Sequence, residues 1–184
     1  MEKENTSSSW EWIKAIVIAL ALAFLIRYFL FAPIVVDGES MSPTLHNGDR
    51  MIVNKISYTL FEPERFDIVV FHAPGGKDYI KRVIGLPGDE IEYRSDTLYV
   101  NGEPVEERFL DELKENYQGE TLTNNFELVD VTNEFVVPED HLFVLGDNRR
   151  HSKDSRDIGT VPTDKVIGKA SVIFWPITEV RVAK

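Results

Sequence analysis

Cysteine is absent from this 184-residue chain, which excludes disulfides, a thiolate nucleophile and thiolate metal sites. Its absence does not identify a compartment. Basic side chains are in deficit as well: 20 Lys and Arg stand against 31 Asp and Glu, a formal net charge of −11. A nucleic-acid partner needs a basic stripe, and none is visible, so that class is set aside. The same charge makes the body repel anionic headgroups. Histidine is scarce: His46, His72, His141 and His151 are scattered, without the local signature of a histidine base held by a carboxylate. Each reads as a surface or strand histidine. No internal repeat is apparent.

What the chain does have is one long apolar run, from Ile13 to Phe31. As a helix it would span ~28 Å, close to the ~30 Å hydrocarbon core of a bilayer. Lys14 and Arg27 lie near its ends, where charges can reach the interface, and Trp10, Trp12 and Tyr28 suit an interfacial belt. A buried core helix would show a polar face, which is missing here. A cleaved secretory signal would end in a small-x-small pattern, whereas Leu30-Phe31-Ala32 is followed by Pro33. The run therefore predicts an uncleaved single-pass transmembrane anchor over 13–31. Lys3 and Lys14 against Arg27 place a short leader, 1–12, in the cytoplasm. Residues 32–184 then form one extracytoplasmic body at the cell membrane, large enough for one core.

The body reads as mainly antiparallel β. Met51–Ile56, Asp67–His72 and Tyr79–Ile84 are short, rich in β-branched residues and bounded by Gly, Pro or Asp. Glu90–Arg94 and Thr97–Val100 alternate around a Ser95-Asp96 turn, and Asn101-Gly102 opens another, which predicts a meander. Residues 103–125 are the least hydrophobic stretch and read as a mobile insertion, with a weak helical spacing at Phe109, Leu110 and Leu113. Strand character returns at Phe126–Val129, Glu134–Val137, His141–Leu145 and Val166–Trp175.

Chemistry points to Ser40, a few residues beyond the apolar run. Two familiar serine signatures fail there: Ser42 stands where a nucleophile elbow needs Gly, and Pro43 where a serine-x-x-lysine enzyme needs Lys. A distant lysine can serve instead, provided burial keeps it neutral. Lys81 lies in an apolar strand, where alternation places it on one face with Tyr79 and Val83. A solvated edge charge is the alternative for any such lysine. A third segment, Gly146 to Arg156, is dense in Asp, Asn, Ser and Arg and suits a loop held by its own hydrogen bonds.

Three motifs, Gly-Glu-Ser-Met-x-Pro-Thr-Leu, Tyr-x-Lys-Arg-x-Ile-Gly-x-Pro-Gly-Asp and Gly-Asp-Asn-x-x-x-Ser-x-Asp-Ser-Arg, occur in order between the anchor and Arg156. Together they resemble bacterial type I signal peptidases, the membrane-anchored Ser/Lys serine proteases, in their short Gram-positive-like form. The resemblance implies a body of coiled antiparallel sheets and an endopeptidase, needing no cofactor and no metal, that removes signal peptides from exported preproteins at the outer membrane surface. It implies Ser40 as nucleophile and Lys81 as neutral general base, with Ser152 orienting that lysine. It also implies ion pairs of Asp154 with Arg156 and of Asp147 with Arg82. Some members carry a serine two positions before the nucleophile, whose hydroxyl completes the oxyanion hole; here that residue is Gly38. Implied partners are preproteins, the lipid bilayer and proximity to the secretion translocon. Competing readings are a tethered module that captures extended segments without cutting, and a self-cleaving repressor-type protease, for which the leader supplies no DNA-binding domain.

Overall fold

The computed structural model describes residues 6–183, with side chains described there except at 6–9, 26–29, 59 and 60. The start of the leader, with Lys3, and the side chains of Arg27 and Tyr28 lie outside the described residues. Helix α1 (Thr6–Phe29) opens the chain and passes almost directly into strand β1 (Phe31–Val35). The apolar run expected as one helix to Phe31 thus ends sooner, and Phe31 belongs to a sheet. Pro33 has no N–H to donate, and β1 tolerates it because it is an edge strand. Described side chains along α1 run from Trp10 to Leu25, about 24 Å of rise. Among the described residues, no helix is long and apolar enough to cross a membrane.

The remaining chain is mainly β. One sheet joins β1 to β2 (Arg50–Asn54), β11 (Val166–Trp175), β3 (Ile68–His72), β4 (Asp78–Gly85), β9 (His141–Leu145) and β10 (Val161–Pro162), in that order, with β12 (Arg181–Val182) also on β11. Every pairing in it is antiparallel. A second sheet runs β7 (Glu103–Val105), β6 (Thr97–Val100), β5 (Ile91–Arg94), β8 (Phe126–Glu127). Ile91, Tyr93, Leu98 and Val100 of this second sheet pack on Ile84, Phe143 and Leu145 of the first, which fastens the two together.

Short helices fill the connections: α2 (Ser57–Leu60), α3 (Asp111–Asn116), α4 (Leu128–Thr132) and α5 (Ser155–Ile158). Two strand expectations are corrected here. Phe126–Val129 is a strand for two residues and then α4, because Glu127 and Asp130 form a capping box that starts a helix at Leu128. Glu134–Val137 joins no sheet; the Val137 backbone bonds to Asp89 and Gly88 outside any ladder. The segment read as a mobile insertion, 103–125, contains β7 and α3, and its Glu107, Leu110, Leu122 and Thr123 are buried.

Candidate active site

Ser40 stands in a tight turn between β1 and β2. Gly38 enters that turn at φ 99°, a conformation L side chains rarely adopt, and its N–H donates to Asn47 Oδ1 at 3.0 Å. Ser42 N–H donates to Glu39 O and Leu45 N–H to Met41 O. Met41 and Leu45 are buried against Met51, Ile68, Ala170 and Ile173. Burying two such side chains stabilises by roughly 1.5–3 kcal/mol each, so the core itself fixes the turn that presents Ser40.

Lys81 comes from the middle of β4, opposite Val69 of β3. Its side chain shares a face with Tyr79, whose ring centroid is 5.2 Å from Nζ, as strand alternation requires. The residue is 3% exposed. Nζ donates to Ser40 Oγ at 2.7 Å and to Ile80 O at 2.9 Å. Burial lowers its pKa from the usual 10.5 to about 8, partly opposed by attraction from Asp154 and Asp147. The solvated edge charge is thereby excluded.

The loop from Gly146 to Ser155 closes the site. Asn148 donates through its N–H to Ser40 O at 3.1 Å and through Nδ2 to Glu39 O at 3.2 Å. Gly146 is where backbones approach closely: a Cβ there would collide with Ser152 Oγ and Ser40 O. Asp147 receives Arg82 in a bidentate pair, Nε to Oδ1 at 2.8 Å and Nη2 to Oδ2 at 2.6 Å, with both side chains buried. Asp154 accepts from Gly146 N at 3.0 Å and from Arg156 Nε and Nη2, both at 2.8 Å, and it caps α5. Ser152 Oγ is buried and has no hydrogen-bond partner among the described residues, so the bond to Lys81 that the resemblance implies is not formed in this arrangement.

Ser40 and Lys81 lie in a cleft of about 840 Å³. One wall is β1, with Ala32 and Ile34, and the other is the start of β4, with Asp78, Tyr79 and Ile80. β1 pairs along one side only, and β9 pairs with β4 no nearer its start than Arg82, so both walls offer unpaired strand edges. His72 and His151 line the same cleft, but the His72 ring pairs with Asp78 at 2.7 Å, and the side chain in hydrogen-bond contact with Ser40 Oγ is Lys81. Among the described residues no cluster of His, Cys, Asp or Glu could hold a metal ion.

Chemically, a buried amine bonded to a hydroxyl in an open cleft can take the hydroxyl's proton as the oxygen attacks a carbonyl. Sequence reasoning named Ser40, Lys81, Gly38, Ser152, Asp147, Arg82, Asp154 and Arg156, and missed Asn148, which holds the Ser40 backbone, and β1 as a cleft wall. Asn148 was within reach, since it lies in the third motif, whereas Ala32 and Pro33 mask the strand that Ile34 and Val35 favour.

Residues 9–175 match the family model described as signal peptidase, peptidase S26. A signal peptidase I of Bacillus caldolyticus is 45% identical over 97% of this chain and 96% of its own length. A signal peptidase IB of Staphylococcus aureus is 43% identical over 93% and 92%. A crystal structure of a signal peptidase I from Enterococcus faecalis is 46% identical and superposes with a TM-score of 0.56, covering 59% of this chain and 96% of that one. The chain belongs to the signal peptidase family, S26, and is a serine peptidase.

Proposed function

We propose that this protein removes N-terminal signal peptides from exported preproteins with Ser40 as nucleophile and neutral Lys81 as general base. The observation that carries the reading is the 2.7 Å contact between Lys81 Nζ and Ser40 Oγ, with burial lowering the lysine's pKa toward the working range. Ser40 Oγ attacks the scissile carbonyl carbon while its proton passes to Lys81 Nζ. The tetrahedral adduct collapses as Lys81 returns that proton to the departing amine, leaving an acyl ester on Ser40. Water then attacks the ester as Lys81 takes its proton; on collapse Lys81 returns that proton to Ser40 Oγ, restoring the hydroxyl, and the product acid releases its own proton to solvent as the free carboxylate.

The oxyanion needs donors. Gly38 has no hydroxyl and its N–H is committed to Asn47, so more of that role falls to the Ser40 backbone N–H. The substrate's cleavage segment lies extended between the β1 and β4 edges, adding main-chain hydrogen bonds to both walls. Ser152 orients the amine during the reaction: Lys81 has one N–H beyond those engaged by Ile80 and Ser40, and the buried Ser152 hydroxyl, without a partner in the free protein, turns to accept it.

The apolar part of α1, residues 13–29, anchors the protein in the cell membrane, with the leader 1–12 cytoplasmic and the body from β1 onward outside, within reach of the translocon. Support comes from the sequence run and from exposed Ile13, Ile16, Leu20, Leu22 and Phe24 along α1, which water would not favour. α1 abuts the cleft wall β1, so the site would open close to the bilayer.

The test is incubation of the detergent-solubilised chain with a purified preprotein, followed by mass measurement of the new N-terminus. Ser40→Ala and Lys81→Ala are expected each to abolish cleavage with the thermal melt retained. Substantial turnover by either variant would overturn the Ser/Lys reading. Resistance of the chain to alkaline carbonate extraction tests the anchor.

A further inference from the structure

A buried polar network ties the 103–125 segment to both halves of the site. Arg149 reaches out of the catalytic loop into the second sheet. Its Nη1 donates to Tyr93 Oη at 2.8 Å and to Thr123 Oγ1 at 3.2 Å, its Nη2 donates to Glu107 Oε1, and its Nε donates to Gly146 O at 3.1 Å. Tyr93 Oη donates to the same Glu107 oxygen at 2.6 Å. Arg149, Glu107, Tyr93 and Thr123 are all buried. On the other side, the Phe109 ring lies 3.9 Å from Arg82 Cζ and meets Phe66 edge-on, and the Phe66 carbonyl accepts from Arg82 Nη1 at 2.9 Å.

The two arginines are placed next to the dyad. Arg82 follows Lys81 in β4, and Arg149 follows Asn148, whose N–H holds Ser40 O. A guanidinium fork held by fixed partners resists rotation, so each transmits the position of its partners to the neighbouring backbone. A pure stability role would be met as well by apolar residues of similar volume, which avoid burying charge. Here the forks meet at Asp147 and Gly146, the backbone that frames Ser40 and Ser152.

We propose that Glu107 and Phe109 are positioning residues: from the 103–125 segment they clamp Arg149 and Arg82, and through them hold Ser40 and Lys81 at hydrogen-bonding distance. The proposal rests on the Ser/Lys reading of the site. A segment read from composition as a mobile insertion is on this account part of what makes the dyad competent.

The test uses the full chain in detergent with an internally quenched peptide bearing an Ala-x-Ala cleavage segment, with Ser40→Ala and Lys81→Ala measured alongside. Glu107→Ala is expected to lower kcat about 10- to 100-fold with KM within about twofold, since a misplaced reacting pair loses rate before binding. The pH midpoint of kcat/KM should move upward as the displaced amine regains water. Glu107→Gln keeps an acceptor for Arg149 and Tyr93 and is expected to recover most of kcat. Phe109→Leu, which fills space without a ring over Arg82, should shift the midpoint the same way. An unchanged kcat and midpoint in Glu107→Ala overturns the proposal, as does a kcat loss with an unmoved midpoint that glutamine fails to recover. If Glu107→Ala does not fold, Phe109→Leu decides: a raised midpoint supports the clamp and an unmoved one overturns it. Turnover retained by Ser40→Ala or Lys81→Ala marks failure of the dyad itself, a result distinct from a dead dyad beside a wild-type Glu107→Ala.

Discussion

Lys81 Nζ lies 2.7 Å from Ser40 Oγ although 41 positions separate them in the chain. As the proposed general base the amine would work only when neutral, and burial lowers its pKa from 10.5 to about 8. At pH 8 that raises the neutral fraction from ~0.3% to ~50%. The rate is therefore expected to rise with pH through about 8 and then level. Measuring kcat/KM from mildly acidic to strongly alkaline buffer checks this, and a flat profile contradicts the lysine's role.

The same shift has a cost in stability. A base whose folded pKa is lowered binds fewer protons folded than unfolded between about 8 and 10.5, so stability rises with pH across that window. Below it the buried charge carries its full penalty, on the order of 3 kcal/mol before lost hydrogen bonds are counted. Lys81→Met is accordingly expected to melt several degrees higher than the parent at neutral pH. The gap should close toward pH 10.5. A melting difference independent of pH would show that the lysine is not charged and buried in the folded protein.

Ser152 separates fold from function. Its Oγ is buried with no partner among the described residues, and an unsatisfied hydroxyl costs about 1–3 kcal/mol. Ser152→Ala should therefore leave the stability of the free protein unchanged or raise it, while kcat falls because the Lys81 amine loses the acceptor it turns to during the reaction. Calorimetry and a single-turnover assay on the same preparation read both. A large drop in melting temperature would mean that the hydroxyl is satisfied in solution by some other group.

Legibility in the sequence followed the range of the interactions. β3, β4, β5, β6, β9 and β11 could be read because alternation and β-branching are local and the strands are short. β1 was hidden, since its Phe31 and Ala32 continue an apolar run and Pro33 argues against a central strand. α4 was misread because Leu128 and Val129 look like strand residues, while the deciding contact is the Glu127–Asp130 capping box. Ser40 and Lys81 emerged from motif chemistry; the Glu107–Arg149 pair did not. Glu107 lies 42 positions from its partner in the most polar part of the chain, where a buried carboxylate looks like any solvated one.

Arg82 and Asp147 offer a case in which stability and activity should come apart. Both side chains are buried, at 1% and 0% exposed, and removing one partner leaves a charge in the interior. Asp147→Ala is expected to destabilise by about 3–5 kcal/mol. Arg82→Met combined with Asp147→Leu removes both charges at similar volume, and most of that loss should return. Activity should not return with it, because Asp147 ties the backbone beside Asn148, and so Ser40 O, to the strand that carries Lys81. Denaturant melts and kcat on the single and double variants decide the matter. A double variant as unstable as the single would show that the unpaired charge is not the dominant cost, and one with full kcat would show that the pair stabilises the fold without aligning the dyad.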